Sequence, residues 1–463
     1  MQSYDVVIVG AGIGGAALAK AVAEDGRSVL VLEQSEVYED RVRGEAMVPW
    51  GVAEARQLGV EQVLLDAGAR VSETWFNYHL PDQRDEIPAG MLIPDIPGSL
   101  NLRHPEACSA LEHAARAAGA TVHRGTRDVD FSFGTDPRVR WRAGDDEHEV
   151  QTRIIVGADG RRSRVRKALG LEPYRAPVIH HVTGMLIEDL VDVDADHDFL
   201  AGEGDLFMAT FHQKEGRTRA YLFPSAAEPD RYVGAGNVEK FLADCAFECL
   251  PFGKRLAAGR PAGPIATYPG DDTWLDEPFG EGAVLIADAA GYSNPIAGQG
   301  LSIAMRDARS VRDVLRGDDW SRVAFGDYGE ERRERMRRLR FISDTLAITE
   351  AEGADNREAR RAKWGELVAT DPRAFMVSVG ALAGPETVPD DSFVDEFGNP
   401  NDATCRPAPP YHFEWNWQPG RSWSLGGGTT ELDAYFGTPG AELDVTCQDG
   451  DQTATGSFTW PST

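Results

Sequence analysis

Residues 4–15 read Tyr4-Asp-Val-Val-Ile-Val-Gly-Ala-Gly-Ile-Gly-Gly15; Ala16 to Asp25 then has helical spacing, and Ser28 to Leu32 is a second apolar run closed by Glu33. A β-branched run, a glycine turn, a helix and another strand make a βαβ unit. In Gly10-x-Gly12-x-x-Gly15, with Gly14 in the same turn, the first glycine permits the tight turn. The second lets backbone approach a pyrophosphate, and the third lets helix and strand pack closely. Glu33 stands 18 residues beyond Gly15, at a strand end where its carboxylate accepts hydrogen bonds from a ribose. A glycine turn in another α/β protein would explain the glycines and leave Glu33 unexplained. The unit therefore predicts dinucleotide binding.

Working outward, Arg153-Ile-Ile-Val-Gly-Ala-Asp-Gly160 and Gly282-Ala-Val-Leu-Ile-Ala-Asp-Ala289 each read as a buried strand running into a small-residue turn and a helix. These strands are expected in one sheet with the first. Between them, His180 to Leu186, Leu206 to His212 and Arg219 to Phe223 alternate as strands, with Gln213-Lys-Glu-Gly-Arg217 as a hairpin turn. From Trp320 to about Thr370 the chain reads as helical. Glu330, Glu331 and Glu334 pair there with Arg333, Arg335 and Arg338 at three- and four-residue spacing, the pattern of a solvated face. Residues 400–463 are acidic and rich in tryptophan (Trp415, Trp417, Trp423, Trp460), with strand-like segments at Ala441 to Cys447 and Thr453 to Trp460.

The fold class that follows is α/β: a Rossmann-like domain from residues 1–175 and 265–320, and a β-sheet substrate domain inserted at 176–264 with part of 70–100. Helices follow over 321–395, and the 400–463 tail is a small β-rich segment. A chain of 463 residues with 42% hydrophobic side chains has enough material for several cores. Its 47 basic and 75 acidic side chains give a formal charge of −28, which repels phosphate backbones and anionic lipid. No nucleic acid and no membrane span are expected, because no run of 18 apolar residues occurs. Val6 to Ala19 follows Asp5 rather than a basic segment, unlike a signal peptide. The five cysteines, Cys108, Cys245, Cys249, Cys405 and Cys447, show no metal-ligand spacing. A reduced, cytoplasmic protein without a metal site is expected. Cys245 and Cys249 read as buried thiols.

The second and third motifs narrow the cofactor. Gly157-Ala-Asp-Gly-Arg-Arg-Ser-Arg-Val-Arg166 and Ile286-Ala-Asp-Ala-Ala-Gly-Tyr-Ser-Asn-Pro295, followed by Ile296-Ala-Gly-Gln-Gly300, stand in fixed order after the first unit. Over residues 4 to about 310 the chain resembles the single-component FAD-dependent aromatic hydroxylases, the para-hydroxybenzoate hydroxylase-like class. The resemblance extends weakly to about residue 395 and does not reach the tail. It implies that Asp288 binds the ribityl chain of FAD and that Asp159-Gly160 serves both the flavin pyrophosphate and a nicotinamide nucleotide. It also implies that Arg43, in Arg43-Gly-Glu-Ala-Met47, and Arg103, opening a helix, contact FAD. Pro295, Gly298, Gln299, Gly300 and Leu301 lead into a helix whose amino end would face the flavin; a helix amino terminus favours an anion by roughly 0.3 to 1 kcal/mol. Ser302 departs from the family's usual asparagine.

The implied reaction passes a hydride from NADH or NADPH to FAD, adds O2 to give a flavin C4a-hydroperoxide, and transfers one oxygen to an aromatic or electron-rich small molecule, such as a natural-product intermediate. The substrate is expected between flavin and inserted sheet, against Phe207, Phe211 and Tyr221, with His180 or His181 as a catalytic acid/base for a phenol proton. No separate nicotinamide domain is visible, so NAD(P)H docks transiently or a separate reductase supplies electrons. Oligomeric state is not legible. Two other flavoprotein classes share the opening motif. Halogenases need a lysine and a Trp-x-Trp-x-Ile-Pro segment, whereas here no lysine lies between Lys20 and Lys167 and Trp415-Asn-Trp417-Gln-Pro lies in the tail. Reductases of isoprenoid double bonds are the nearer alternative, distinguished by needing no O2. A non-enzymatic flavoprotein acting through its tail is a third.

Overall fold

A computed structural model describes residues 2–80, 83–190, 196–351, 357–370 and 372–388, and strands at 413–415, 423–425, 428–430, 442–449 and 452–459. The strands Gln2–Val9, Val29–Leu32, Asp146–Gly157 and Ala283–Leu285 lie side by side and parallel, with Val6 opposite both Val29 and Ile154, and Ile155 opposite Ala283. Their apolar runs are continuous because both faces of the sheet are buried, the usual condition of parallel strands. Ile8 and Val31 pack beneath the helices Ile13–Glu24 and Gly300–Arg316, while Val7, Leu30, Ile155 and Leu285 pack on the other side with Trp141.

A second sheet of eight strands carries His180–Glu188, Arg217–Phe223, Leu206–Gln213, His197–Glu203, Thr74–Leu80 and Gln83–Ile87 in that spatial order. The hairpin between Gln213 and Arg217 turns through Glu215 and Gly216, both at φ +64°. Period-two alternation gives this sheet two different faces. Met185, Ile187, Met208, Ala220 and Leu222 point to one, packed with Phe241 and Leu256 of the short helices Asn237–Asp244 and Gly253–Ala258. Val182, Phe207, Ala209, Phe211, Tyr221 and Phe223 point to the other, where Val48, Trp50, Ile296 and Ala297 meet them.

The helix Gly326–Leu346 corrects one expectation. Its charge run is a solvated face only in part: Glu330 and Arg333 are exposed, but Arg335 is buried, as are Arg332 and Arg340 on the same helix. Arg335 bonds both Asp307 (2.7 Å) and Glu331 (2.9 Å), so the three- and four-residue spacing serves an internal network. Of the cysteines, Cys108, Cys245 and Cys249 are buried and free. In the C-terminal segment, Glu442–Asp449 and Gln452–Thr459 form an antiparallel hairpin, with Val445 opposite Gly456, inside a five-stranded sheet.

Candidate cofactor and substrate site

The glycine turn after the first strand is shaped by three kinds of crowding. Gly10 sits at φ +103° against the Ala158 carbonyl, and a Cβ at Gly15 would strike the Gly10 carbonyl oxygen. Gly14 faces the Gly300–Arg316 helix, where a Cβ would come within 3.3 Å of Ala304 Cβ. Gly12 differs: its backbone is extended and a Cβ there would meet nothing within 4 Å. The turn thus leaves an open cradle at the one glycine whose expected task is to face a ligand. Glu33 is buried at the end of its strand, accepting from Ala11 N (2.8 Å) and Ser35 N (2.7 Å). Tyr38, which the sequence reading did not single out, donates to Ala11 O (2.8 Å), and the Arg124 guanidinium lies 4.1 Å over its ring.

Asp159 braces the first turn of the following helix, which Ser163 caps: its Oδ2 accepts from Arg164 N (2.6 Å) and Val165 N (3.3 Å), while its buried Oδ1 has no partner among the described residues. Burial raises its carboxyl above the ordinary range. Gly160 follows at φ +77°. Asp288 lies beyond the end of Ala283–Leu285, its side chain 30% exposed and 3.6 Å from Arg161 Nε. The turn bearing it is anchored from beneath: Asp307 Oδ2 accepts the Ala287 N–H (2.7 Å), and Arg332 donates to the carbonyls of Ala290 (3.0 Å) and Gly291 (2.8 Å). Nothing in the sequence pattern pointed to Asp307 or Arg332, because each is one more charge in a charge-laced helix.

Asn294 Oδ1 caps a short turn starting at Pro295 by accepting from Ile296 N (3.1 Å), and Gly298 closes it at φ +67°. A Cβ at Gly298 or Gly300 would meet open space. Gln299 is fully buried: its Nε2 donates to Ala297 O and Ala381 O (2.9 Å), and its Oε1 accepts from Trp50 Nε1 (2.9 Å). Its side chain is therefore committed to protein, which leaves its backbone, the part expected to face the cofactor, for a ligand. Leu301 is likewise buried in the core, offering its amide alone. Ser302 Oγ abuts the backbone of Gly51. Arg43 is exposed on a loop whose carbonyl at the same residue accepts from Tyr221 Oη (2.7 Å). Arg103 precedes the helix His104–Ala117 and pairs with Glu106 at 3.2 Å.

The aromatic residues expected in a pocket do converge. Phe211 lies 5.9 Å from Tyr221 and 5.7 Å from Trp75, and Phe207 lies 5.4 Å from Phe223, ring centroid to centroid. His180 joins them, 5.5 Å from Phe223 and fully buried, with Nε2 2.7 Å from Asn294 Oδ1 and Nδ1 3.0 Å from His181 O. Burial lowers its pKa. His181 does not join them. Successive strand residues point to opposite faces, so His181 shares the face of Thr183 and Met185, away from Phe207 and Tyr221. This corrects the expectation that either histidine could serve the pocket.

Two features lie elsewhere. An open groove of about 550 Å³, lined by Ser3, Asp5, Ser28, Asp136, Arg153 and Trp320 among others, sits at the amino ends of the parallel strands. Doubly wound folds bind ligands at the carboxyl ends, so the groove is not the site. Among the described residues no cluster of metal ligands occurs, and no helix is long and apolar enough to cross a membrane.

The open cradle at Gly12, the open turn at Gly298 and Gly300, the unpartnered Asp159 Oδ1 and the partly exposed Asp288 together fit an elongated polar cofactor running along the carboxyl edge of the parallel sheet. A family model described as FAD binding domain matches residues 3–339. The chain belongs to the FAD-binding domain family. Within curated proteins it is 27% identical to squalene monooxygenase SE2 of Panax ginseng over 326 residues, 68% of this chain and 58% of that protein. It is also 27% identical to digeranylgeranylglycerophospholipid reductase 2 of Methanopyrus kandleri over 341 residues, 68% of this chain and 77% of that one. The chain thus spans under two thirds of the squalene monooxygenases it matches. Among solved structures, the FAD-binding fold is shared with p-nitrophenol 4-monooxygenase PnpA of Pseudomonas putida (TM-score 0.70, 17% identity, 83% of this chain and 99% of that one). It is shared also with PqsL of P. aeruginosa in complex with 2-aminobenzoylacetate (0.65, 21%, 78% and 99%) and with the flavin-dependent halogenase CmlS (0.68, 19%, 91% and 81%).

Proposed function

We propose that the chain is a monooxygenase that uses FAD, NAD(P)H and O2 to hydroxylate an aromatic or similarly electron-rich small molecule. The observation that carries this reading is the single buried apolar cluster in which Phe207, Phe211, Tyr221 and Phe223 of the inserted sheet meet Trp50, Ile296 and Ala297 beside the Pro295–Gly300 turn. Aromatic walls suit a planar apolar ring and exclude water from a reaction that water would short-circuit.

In this reading the Gly10–Gly15 turn and the following helix take the pyrophosphate, Glu33 the adenosine ribose, and Asp288 the ribityl hydroxyls. Asp159 and Gly160 lie on the pyrophosphate side, and Arg43 and Arg103 flank the ring system. The backbone amides of Gly298 to Leu301 face the pyrimidine edge, where the helix terminus favours negative charge. FAD, when bound, supplies the acceptance of hydride and the activation of O2. The protein residues orient and desolvate the substrate, and no side-chain nucleophile is required. His180 is the histidine on the right face, yet both of its ring nitrogens already lie on protein acceptors, so its part is to hold the site's geometry. The boundaries proposed above for the FAD-binding parts, the inserted substrate sheet and the C-terminal helices remain the working division, with a cytoplasmic setting.

The likeness to the digeranylgeranylglycerophospholipid reductase favours one second reading, reduction of an isoprenoid-type double bond. Purified protein reconstituted with FAD decides between them: substrate-stimulated NAD(P)H oxidation with matching O2 consumption and a hydroxylated product is expected. NAD(P)H oxidation that proceeds equally without O2 would establish the reductase instead. Halogenation is third, since a halogenated product without added lysine relay is not expected from a chain lacking lysine between Lys20 and Lys167.

A further inference from the structure

The turn on the cofactor side of the site and the strand on its substrate side are tied by one side chain. Asn294 Oδ1 accepts the Ile296 N–H at 3.1 Å, which fixes the orientation of the amide, since a flipped group would set two donors against each other. The same oxygen lies 2.7 Å from His180 Nε2, so that nitrogen must carry a proton to make the bond. His180 Nδ1 faces a second acceptor, His181 O, at 3.0 Å. A neutral imidazole donates from one nitrogen only, and Asn294 offers the shorter contact. Gly270 leaves room for the ring, for a Cβ there would collide with it. On its other side Asn294 donates its backbone N–H to Asp272 Oδ1 at 2.9 Å, and its Nδ2 reaches Gly270 O at 3.4 Å. Asp272 is buried and its Oδ2 has no partner among the described residues.

We propose that Asn294 and Asp272 are positioning residues: Asp272 fixes the Asn294 backbone, Asn294 holds His180 as its Nε2–H tautomer, and this bridge sets the Pro295–Gly300 turn against the aromatic face. The proposal rests on the reading of that turn as the segment whose backbone amides face the flavin. Its anchor is also sensitive to pH. Asp344 and Arg340 of the Gly326–Leu346 helix face Asp272, as does the adjacent Asp271, itself bonded to Arg175 and Tyr292. Burial first, and then the neighbouring Asp271, push Asp272 up to about 6, against the Asn294 N–H and the pull of Arg340; Asp344, also buried, is raised well above the ordinary range. An ionised acceptor holds an N–H more strongly than a neutral one, so the Asn294 backbone is gripped above this range and slackened below it.

Two measurements test the bridge. The first is the protonation of the two His180 ring nitrogens, read by nitrogen NMR of histidine-labelled protein, and it needs neither bound flavin nor turnover. The wild type is expected to show Nε2–H. Asn294→Ala is expected to lose it, the proton moving to Nδ1 where His181 O accepts, and Asn294→Asp, which keeps an oxygen at the same place, is expected to restore it. The second is the visible spectrum of FAD bound to the reconstituted protein between pH 5 and 8. A pH-dependent change is expected in the wild type and in Asp271→Asn, and its loss in Asp272→Asn. An Asn294→Ala protein that retains Nε2–H, or an Asp272→Asn protein whose bound flavin follows pH as the wild type does, overturns the bridge. Should Asn294→Ala fail to fold, Asp272→Asn decides alone. Absence of substrate-stimulated NAD(P)H oxidation would sink the monooxygenase reading while leaving the tautomer result intact, so the two failures are distinct.

Discussion

Arg332 Nε donates to Asp307 Oδ2 at 3.0 Å with both side chains fully buried, and from that pairing the guanidinium reaches the carbonyls of Ala287, Ala290 and Gly291. Ala287 adopts φ +53°, a left-handed conformation uncommon for alanine. The pair therefore holds a strained turn whose purpose in the proposed reading is to aim Asp288 at the cofactor. Strain of this kind costs on the order of 1 to 3 kcal/mol and persists only where surroundings impose it.

Arg332→Met should leave Asp307 a buried carboxylate with one cation fewer and release the carbonyls. Breaking such a buried pair from one side costs about 3 to 5 kcal/mol. The expected outcome is a large fall in the unfolding midpoint and weaker FAD retention. Asp307→Asn should be milder, because an amide oxygen can still accept from Ala287 N. Equal stability of Arg332→Met and wild type by chemical denaturation would contradict this account.

The glycine turn separates folding from binding. Gly15→Ala is expected to destabilise the chain strongly, because the added Cβ strikes the Gly10 carbonyl across the strand–helix junction. Gly12→Ala should fold normally, since its Cβ enters open space at a backbone conformation alanine accepts, yet bind FAD at least tenfold more weakly by occupying the room for the pyrophosphate. Thermal melts of the apoproteins beside FAD titrations read the two effects independently.

A buried acid on the substrate sheet predicts the direction of pH dependence. Asp198 is fully buried, its Oδ1 accepting from Asn101 Nδ2 at 2.6 Å, and burial pushes it up to about 7. The folded state thus keeps a proton that the unfolded chain releases near pH 4. Its contribution is full below that value and is lost as pH rises through about 7, a span worth roughly 4 kcal/mol at most. His104 and His212, lowered by burial to about 4 and about 3, act oppositely, losing stability as pH falls below the ordinary histidine range. The difference between wild type and Asp198→Asn isolates the acid: the variant should gain relative stability as pH rises from 4 to 7. Parallel stability curves would show that folding leaves the Asp198 carboxyl at its ordinary proton affinity.

How much of this was legible in the chain follows from the range of each interaction. The parallel strands announced themselves because burial on both faces forces unbroken apolar runs, and the hairpin at Gln213 to Arg217 because alternation halts at a Gly-containing turn. Phe207, Phe211 and Tyr221 could be named because aromatic residues stand out on the alternating strands of the insertion, and in the structure their parity on adjoining strands puts them on one face. The same parity, applied to consecutive residues, excludes His181 from the face that His180 occupies. Arg332, Asp307 and Asn294 stayed hidden because their partners are backbone groups and side chains far along the sequence, and one arginine in a charge-rich helix looks like any other until packing buries it.

Glu33 tests whether the first motif serves the ligand or only the turn. Its two oxygens accept from Ala11 N and Ser35 N at 2.8 and 2.7 Å, leaving lone pairs for ribose hydroxyls but already giving the carboxylate a structural task. Glu33→Gln keeps the shape and replaces one acceptor oxygen with an NH2 that must face a backbone N–H, which costs about 1 to 3 kcal/mol wherever it is buried. If the ribose also rests on Glu33, affinity for FAD should fall by a further factor of about ten or more, since hydrogen bonds to a charged acceptor contribute roughly 1.5 to 3 kcal/mol. FMN, which lacks the adenosine, should bind wild type and variant alike once stability is matched by working well below either melting temperature. A Glu33→Gln protein that loses FAD and FMN in equal proportion would confine the residue to holding the Ala11 and Ser35 backbone.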